Sequence, residues 1–131
     1  MIVVDSSALI AILFDEPERP AFENIVAGDE RCVMSAVNAH ETATVLRVRH
    51  GPQAVARLWQ LLTDSEIEIV PFDEAQVHAA AAAFDRYGKG IHATARLNLA
   101  DCAAYALAAI RALAVQGRRL RGDRRAGVCL N

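Results

Sequence analysis

Two kinds of hydrophobic pattern alternate along this chain. Short, mainly apolar segments at residues 2–4, 31–34 and 67–71 predict buried strands. Between and after them, apolar residues recur at helical spacing, which predicts helices at residues 7–13, after Pro17, and at 36–49, 53–62, 74–87 and 97–112. This alternation predicts an α/β fold with a central, mainly parallel sheet.

Capping residues set several of the predicted helix boundaries. Ser35 and Asp73 each precede a helical segment and are expected to act as N-caps. Gly51-Pro52 should end one helix, and Gly88-Lys89-Gly90 should break another.

Length and composition favour one globular domain spanning residues 1–131. The chain is 53% hydrophobic, but its longest candidate apolar run, residues 103–110, is far shorter than the twenty or so residues of a membrane helix. No basic, apolar leader is visible at the N-terminus, so a cytoplasmic protein without membrane contact is expected. Three widely spaced cysteines, Cys32, Cys102 and Cys129, predict buried thiols rather than a disulfide framework.

Charge is unevenly distributed. Residues 1–110 carry 8 Lys and Arg against 15 Asp and Glu, a net −7, whereas residues 111–131 carry 6 against 1, a net +5. An acidic body argues against nucleic-acid binding through bulk electrostatics, so any such contact would depend on a local site.

Asp5 directly follows the first predicted strand and precedes a helix. Ligands bind in this position in open α/β sheets, at the carboxyl ends of the strands. An Asp there is also a common turn or cap residue, and for Asp5 alone that reading is the stronger one.

Two further acids fall on predicted apolar helix faces. Glu41 aligns with Val37, Val45 and Val48, and Asp101 aligns with Leu97, Tyr105 and Ala108. Glu41 would instead be an exposed acid if that face is displaced by one residue, and Asp101 would be a cap if its helix begins later. If Asp5, Glu41 and Asp101 converge, each pair at about 4 Å repels by roughly 4 kcal/mol at an effective dielectric of 20. A divalent cation, Mg²⁺ or Mn²⁺ for an all-oxygen site, would remove that repulsion.

A modest basic cluster, Lys89, His92 and Arg96, lies just before Asp101. It is equally consistent with a solvated loop and with phosphate contact.

Several motifs together resemble a known family. The segments Val-Asp-Ser-Ser-Ala-Leu at 4–9, Asn-Ala-His-Glu-Thr at 38–42, Tyr-Gly-Lys-Gly-Ile-His at 87–92 and Leu-Asn-Leu-Ala-Asp-Cys-Ala-Ala-Tyr-Ala at 97–106 resemble a PIN-domain ribonuclease of the VapC toxin type. The resemblance covers residues 1–110 and implies a three-layer α/β/α domain. It also implies a Mg²⁺-dependent endoribonuclease that cleaves single-stranded segments of RNA, is neutralised by a VapB-type antitoxin and forms a homodimer. By motif match Asp5, Glu41 and Asp101 would be catalytic metal ligands, and Ser6 a polar residue of the same pocket.

The C-terminal segment, residues 111–131, departs from the family. A last apolar strand and a Phe-Lys-Gly-Asp-Asp-Phe-like loop with a fourth acid are expected, but arginines occupy positions 118 and 119. Codons permitted for this segment, read one nucleotide later, can spell Pro-Phe-Lys-Gly-Asp-Asp-Phe-Ala-Ala-Thr-Asp-Val, so the segment is interpreted as frame-shifted. Residues 116–131 are accordingly expected to be irregular or poorly packed, the last strand missing or distorted, and the activity reduced.

Two other functions stay open at this point. The first is a catalytically impaired PIN fold that acts only as an antitoxin-binding module. The second is a different α/β site that gathers carboxylates around magnesium, such as a phosphoryl-transfer or receiver-like domain. Against the second, Asp5 lacks the neighbouring acids that such domains carry.

Overall fold

The sheet at the centre of the fold is parallel throughout. In the computed structural model, which describes the backbone of residues 1–119 and side chains as far as Leu113, three strands pair in the order β1-β2-β3. Ile2 is in register with Cys32, and Val33 with Glu68. The elements are β1 (Ile2–Val3), α1 (Ser6–Leu13), α2 (Arg19–Val26), β2 (Cys32–Ser35), α3 (Ala36–His50), α4 (Pro52–Asp64), β3 (Glu68–Val70), α5 (Glu74–Tyr87) and α6 (Leu99–Arg119).

Alternating strand residues pack into two separate hydrophobic cores, because successive side chains of a strand point to opposite faces of the sheet. On one face Cys32 and Met34 pack with residues of α1, α3 and α4, including Leu9, Leu46 and Leu58. On the other face Val3, Val33 and Val70 pack against Ala104, Leu107 and Ala108 of α6. Helices therefore cover both faces of the sheet, and the predicted three-layer α/β/α architecture is confirmed.

Local capping chemistry fixes several helix ends as predicted. The Ser35 hydroxyl accepts a hydrogen bond from the Val37 N–H at 3.3 Å, and Asp73 accepts one from the Gln76 N–H at 3.0 Å. Gly51 ends α3 with φ +85°, a left-handed conformation that a side chain disfavours, and Pro52 then begins α4.

The ends of α6 differ from the prediction. The helix begins at Leu99 rather than Leu97, because Asn98 supplies its cap. At the other end it continues to Arg119, so the predicted stop near Ala112 is wrong, and the backbone is helical rather than irregular from Gln116 to Arg119. The packing of those side chains lies outside what the structure describes. The remainder of that expectation concerns residues 120–131, which lie outside the described part of the chain.

The structure also bears on the expectations for membrane spans and for the cysteines. Across the described residues, every helix is too short or too polar to traverse a bilayer. Cys32 and Cys102 are free and buried, as expected, and burial raises the pKa of both thiols. Cys129 lies outside the described residues.

Candidate active site

The candidate site begins with a contact between Ser6 and Glu41. Ser6 is the first residue of α1, and its hydroxyl lies 3.3 Å from Glu41 Oε2 and 3.4 Å from the backbone carbonyl of Asn38. Both acceptors belong to α3, so one hydroxyl joins the start of α1 to the first half of α3. Ser6 and Glu41, the polar residue and one of the three acids predicted for the site, are therefore neighbours.

Asn38 extends this contact to α6. Its side-chain amide donates a 3.1 Å hydrogen bond to the carbonyl of Ala100, and the residue is only 2% exposed. Its Oδ1 atom is buried and has no hydrogen-bond partner within the described chain. Asn38 was not selected as a site residue from the sequence, because its burial and its contact with α6 appear only in the structure. Buried polar atoms are normally satisfied, so an orphaned amide oxygen here is compatible with an additional ligand.

Asp5 acts as the N-cap of α1. Its Oδ1 accepts hydrogen bonds from the Ala8 N–H at 3.2 Å and from the Ser7 hydroxyl at 2.7 Å. The cap interpretation weighed for Asp5 thus describes its observed contacts, and Ser6 and Ser7 are the first two residues inside the helix. The carboxylate also lies at the positive end of the α1 dipole, which favours negative charge.

Asp101 forms the second half of a capping box. Its N–H donates to Asn98 Oδ1 at 2.8 Å, while its Oδ2 accepts from the Asn98 N–H at 2.8 Å. Asp101 is therefore in the first turn of α6, directly after the residue that Asn38 contacts.

Both predicted core positions for the helix acids were wrong. The buried residues of α3 are Asn38, Ala39, Thr42 and Leu46, so its true inner face is displaced from the predicted one, and Val48 is 80% exposed. Glu41 lies half-buried at the margin of that face, and Asp101 is exposed. Neither carboxylate is fully buried, so neither bears the large desolvation cost of a charged group in the core.

The donor chemistry fits a hard divalent cation, although the carboxylates do not form a compact ligand set. Within the described residues, no group of three or more His, Cys, Asp or Glu side chains is close enough to hold a metal. The atoms gathered around the α1, α3 and α6 junction are carboxylate, hydroxyl and amide oxygens, which are the ligands that Mg²⁺ and Mn²⁺ prefer. The unpartnered Asn38 oxygen adds one more oxygen donor at this junction.

The basic residues Lys89, His92 and Arg96 lie on a closed loop between α5 and α6. Leu97 donates its N–H to the Tyr87 carbonyl at 2.8 Å, and Lys89 donates its N–H to the Leu97 carbonyl at 2.9 Å. Lys89 is one of these hydrogen-bonded residues, and Arg96 directly precedes another, Leu97. The side chains of Lys89 and Arg96 are both exposed. His92 is half-buried and organises the loop: its Nδ1 accepts hydrogen bonds from Thr94 and Ala95.

Comparison with known proteins agrees with this architecture. The PIN-domain family profile matches residues 2–116. Ribonuclease VapC of Mycolicibacterium smegmatis is 43% identical over 108 residues, covering 82% of this chain and 83% of the relative. Ribonuclease VapC30 of Mycobacterium tuberculosis is 41% identical over 108 residues, covering 82% of each chain. A crystal structure of Mycobacterium tuberculosis VapC20, described as a sarcin-ricin loop cleaving toxin, superposes with a TM-score of 0.69 at 17% identity over 86% of this chain and 84% of that one.

This chain belongs to the PIN-domain family, because the family profile matches nearly all of its described residues. The parallel sheet and the polar junction at its edge agree with this class of protein. Its identity with curated relatives over four-fifths of its length places it, within that family, among the VapC ribonucleases, the ribonuclease toxins of toxin–antitoxin systems. The resemblance noted from the four motifs is confirmed.

Proposed function

We propose that this VapC-family protein is a divalent-metal-dependent endoribonuclease that cleaves single-stranded segments of RNA. The observation that carries the proposal is the hydrogen-bonded junction of Ser6, Glu41, Asn38 and Ala100, which ties together the three elements bearing the predicted acids. Asp5 immediately precedes this junction as the N-cap of α1, and Asp101 immediately follows it in the first turn of α6.

In the proposed site Asp5, Glu41 and Asp101 would hold Mg²⁺ or Mn²⁺. A metal bound there would supply a water activated at neutral pH and charge stabilisation for the leaving oxygen. Both Asp5 and Asp101 lie at helix N-termini, where backbone N–H groups donate hydrogen bonds to their carboxylates. Ser6, through its contact with Glu41, would orient that carboxylate, which makes Ser6 a positioning residue.

The substrate would be held by local contacts rather than by the charge of the whole molecule. Residues 1–110 have a net charge of −7, so phosphates are repelled except near basic groups. Lys89, His92 and Arg96 are the proposed RNA-binding residues, because their loop leads directly into the helix that carries Asp101.

The family also suggests partners. We propose a VapB-type antitoxin that neutralises the protein, a homodimer as the working assembly, and the cytoplasm as its location. The alternative, an impaired PIN fold that serves only as an antitoxin-binding module, is less favoured because the related proteins are named ribonucleases. Reduced activity stays part of the proposal, since Arg118 and Arg119 occupy positions where the resemblance to the family implies acids.

The deciding experiment is cleavage of a fluorescently labelled single-stranded RNA by purified protein, with Mg²⁺ and with EDTA. Cleavage that requires Mg²⁺ and is lost in Glu41→Gln is the expected result. Glu18→Gln is the matched control, because Glu18 is exposed and its side chain makes no capping hydrogen bond. Cleavage that persists in EDTA, or in folded Glu41→Gln protein, would overturn the proposal.

A further inference from the structure

Three aromatic rings meet where α5, the following loop and α6 come together. The ring of Tyr87, the last residue of α5, lies 5.9 Å from that of His92 and 5.9 Å from that of Tyr105, measured between centroids. Tyr105 is one helical turn beyond Asp101, so both project from the same side of α6. Tyr87, His92 and Tyr105, the aromatic cluster, thus adjoin one of the proposed metal ligands.

The His92 ring has a fixed orientation in this cluster. Its Nδ1 accepts hydrogen bonds from the N–H groups of Thr94 at 3.2 Å and Ala95 at 3.0 Å. An accepting Nδ1 places the proton of the neutral ring on Nε2, which then is a donor. A ring held by two backbone groups loses little further freedom when a ligand stacks beside it.

Two basic side chains lie on the same loop as the His92 ring. Lys89 and Arg96 are exposed and lie at the two pinned ends of the loop, two residues from Tyr87 and one from Leu97 respectively. Arg96 has φ +48°, a left-handed conformation that residues with a Cβ seldom adopt and that is often found at functional sites.

We propose that the aromatic cluster stacks against one unpaired RNA base next to the cleaved phosphate, while Lys89 and Arg96 contact the flanking phosphates. This inference rests on the proposed function and names how that site holds its substrate. Aromatic faces stack with any base, and basic side chains bind the backbone, which together describe a site for single-stranded RNA. Tyr105 suits the role because it is 38% exposed while its ring still contacts Tyr87.

A protein partner is the competing occupant of this surface. Ile91 and Leu99 are 61% and 76% exposed nearby, and apolar side chains alone would suit a protein interface. The basic pair and the position beside Asp101 favour RNA instead. RNA and a protein partner lead to different expected results for the same variants.

The test is fluorescence anisotropy of a labelled, unstructured RNA 10-mer in EDTA, so that binding is measured without cleavage. Tyr105→Leu should weaken binding roughly tenfold, whereas Tyr105→Phe should bind like the parent because it keeps the ring. Trp59→Leu, which removes an exposed aromatic ring on α4, is the control and should leave affinity unchanged. Thermal melts of each variant establish that it is folded.

A second measurement addresses the phosphate contacts. Arg96→Gly should lower the slope of log affinity against log salt by about 0.7, the value for one phosphate contact on a single strand. Arg49→Ala, at the far end of α3, should leave the slope unchanged.

Binding by folded Tyr105→Leu equal to that of the parent overturns the inference. The inference is also overturned if Tyr105→Leu binds RNA normally but has a changed molar mass in light scattering. That result would assign the surface to a second copy of the chain. These outcomes are separable from failure of the proposed function, since a protein that binds through Tyr105 yet never cleaves in Mg²⁺ would contradict only the nuclease proposal.

Discussion

The side-chain amide of Asn38 donates a buried hydrogen bond to the backbone carbonyl of Ala100, 62 residues away in the sequence. This single bond fixes the first turn of α6 against α3 and therefore sets where Asp101 lies relative to Glu41. The geometry of the proposed site depends on a residue that need not touch the RNA itself.

Replacing Asn38 by alanine should destabilise the protein and impair cleavage. The substitution removes one buried hydrogen bond, which costs about 0.5–1.5 kcal/mol, while the Ala100 carbonyl keeps its place in the backbone hydrogen bonding of α6. Urea unfolding measures the loss. Asn24→Ala, at an exposed position of α2, should change the free energy of unfolding by less than about 0.5 kcal/mol. Equal stability of the two variants would contradict a structural role for the bond.

Asparagine in place of Asp5 or Asp101 should separate catalysis from stability. Asparagine retains an oxygen that can accept the capping hydrogen bonds, so the free energy of unfolding should change by about 0.5 kcal/mol or less, whereas alanine should cost about 0.5–2 kcal/mol. Each asparagine variant should nevertheless lose Mg²⁺-dependent cleavage by roughly 100-fold or more, because a charged ligand is removed.

Asp73→Asn is the matched control for both, since Asp73 makes the same kind of cap at the start of α5. It should keep full activity. Unchanged cleavage in folded Asp5→Asn or Asp101→Asn protein would remove that residue from the metal site.

The buried thiols should be unreactive in the native state. Burial raises the pKa of Cys32 and of Cys102, which lowers the fraction of reactive thiolate at pH 8. In a Cys129→Ser background, a thiol reagent should label both residues many times faster in urea than in buffer. Because the unfolded chain releases these protons at lower pH, the free energy of unfolding should also fall as pH rises above the ordinary thiol pKa. Rapid native labelling of either residue would contradict its burial.

Restoring the alternative reading frame should raise activity. Each codon from Ala114 to Arg125 can be chosen so that a one-nucleotide shift encodes Pro-Phe-Lys-Gly-Asp-Asp-Phe-Ala-Ala-Thr-Asp-Val. The restored chain replaces arginines with additional acids, and we expect it to bind Mg²⁺ more tightly and cleave RNA faster than the present chain. Calorimetric titration with Mg²⁺ and initial cleavage rates measure the difference. Matching affinities and rates would show that the arginine-rich segment is not deficient.

How well the sequence predicted the fold depended on how local each signal was. Ser35 and Asp73 were predicted correctly as caps because a cap needs only the N–H groups two or three residues ahead. The inner face of α3 was misplaced because Val48 is apolar yet exposed, while Asn38 and Thr42 are polar yet buried. The Asn38 amide N–H donates to the Ala100 carbonyl and the Thr42 hydroxyl donates to the Asn38 carbonyl, and helical periodicity cannot predict such contacts.

For the site, the sequence identified Ser6 and Glu41, which the structure brings together, through their family motifs. It could not predict the capping box of Asp101, since that depends on whether α6 begins at Leu97 or two residues later. It also missed Asn38, because an asparagine near a helix start has no distinctive pattern until its distant partner is known.

The long sequence separation of the Asn38–Ala100 contact has a consequence for the timing of synthesis. A ribosome that has synthesised α1, α3 and the three described strands has still not added Ala100, the residue that completes the junction. The last of the three proposed acids emerges only after most of the chain, so a nascent or truncated product ending before α6 carries the first two acids without the third. Nuclease function should thus appear abruptly, late in translation, rather than grow with chain length.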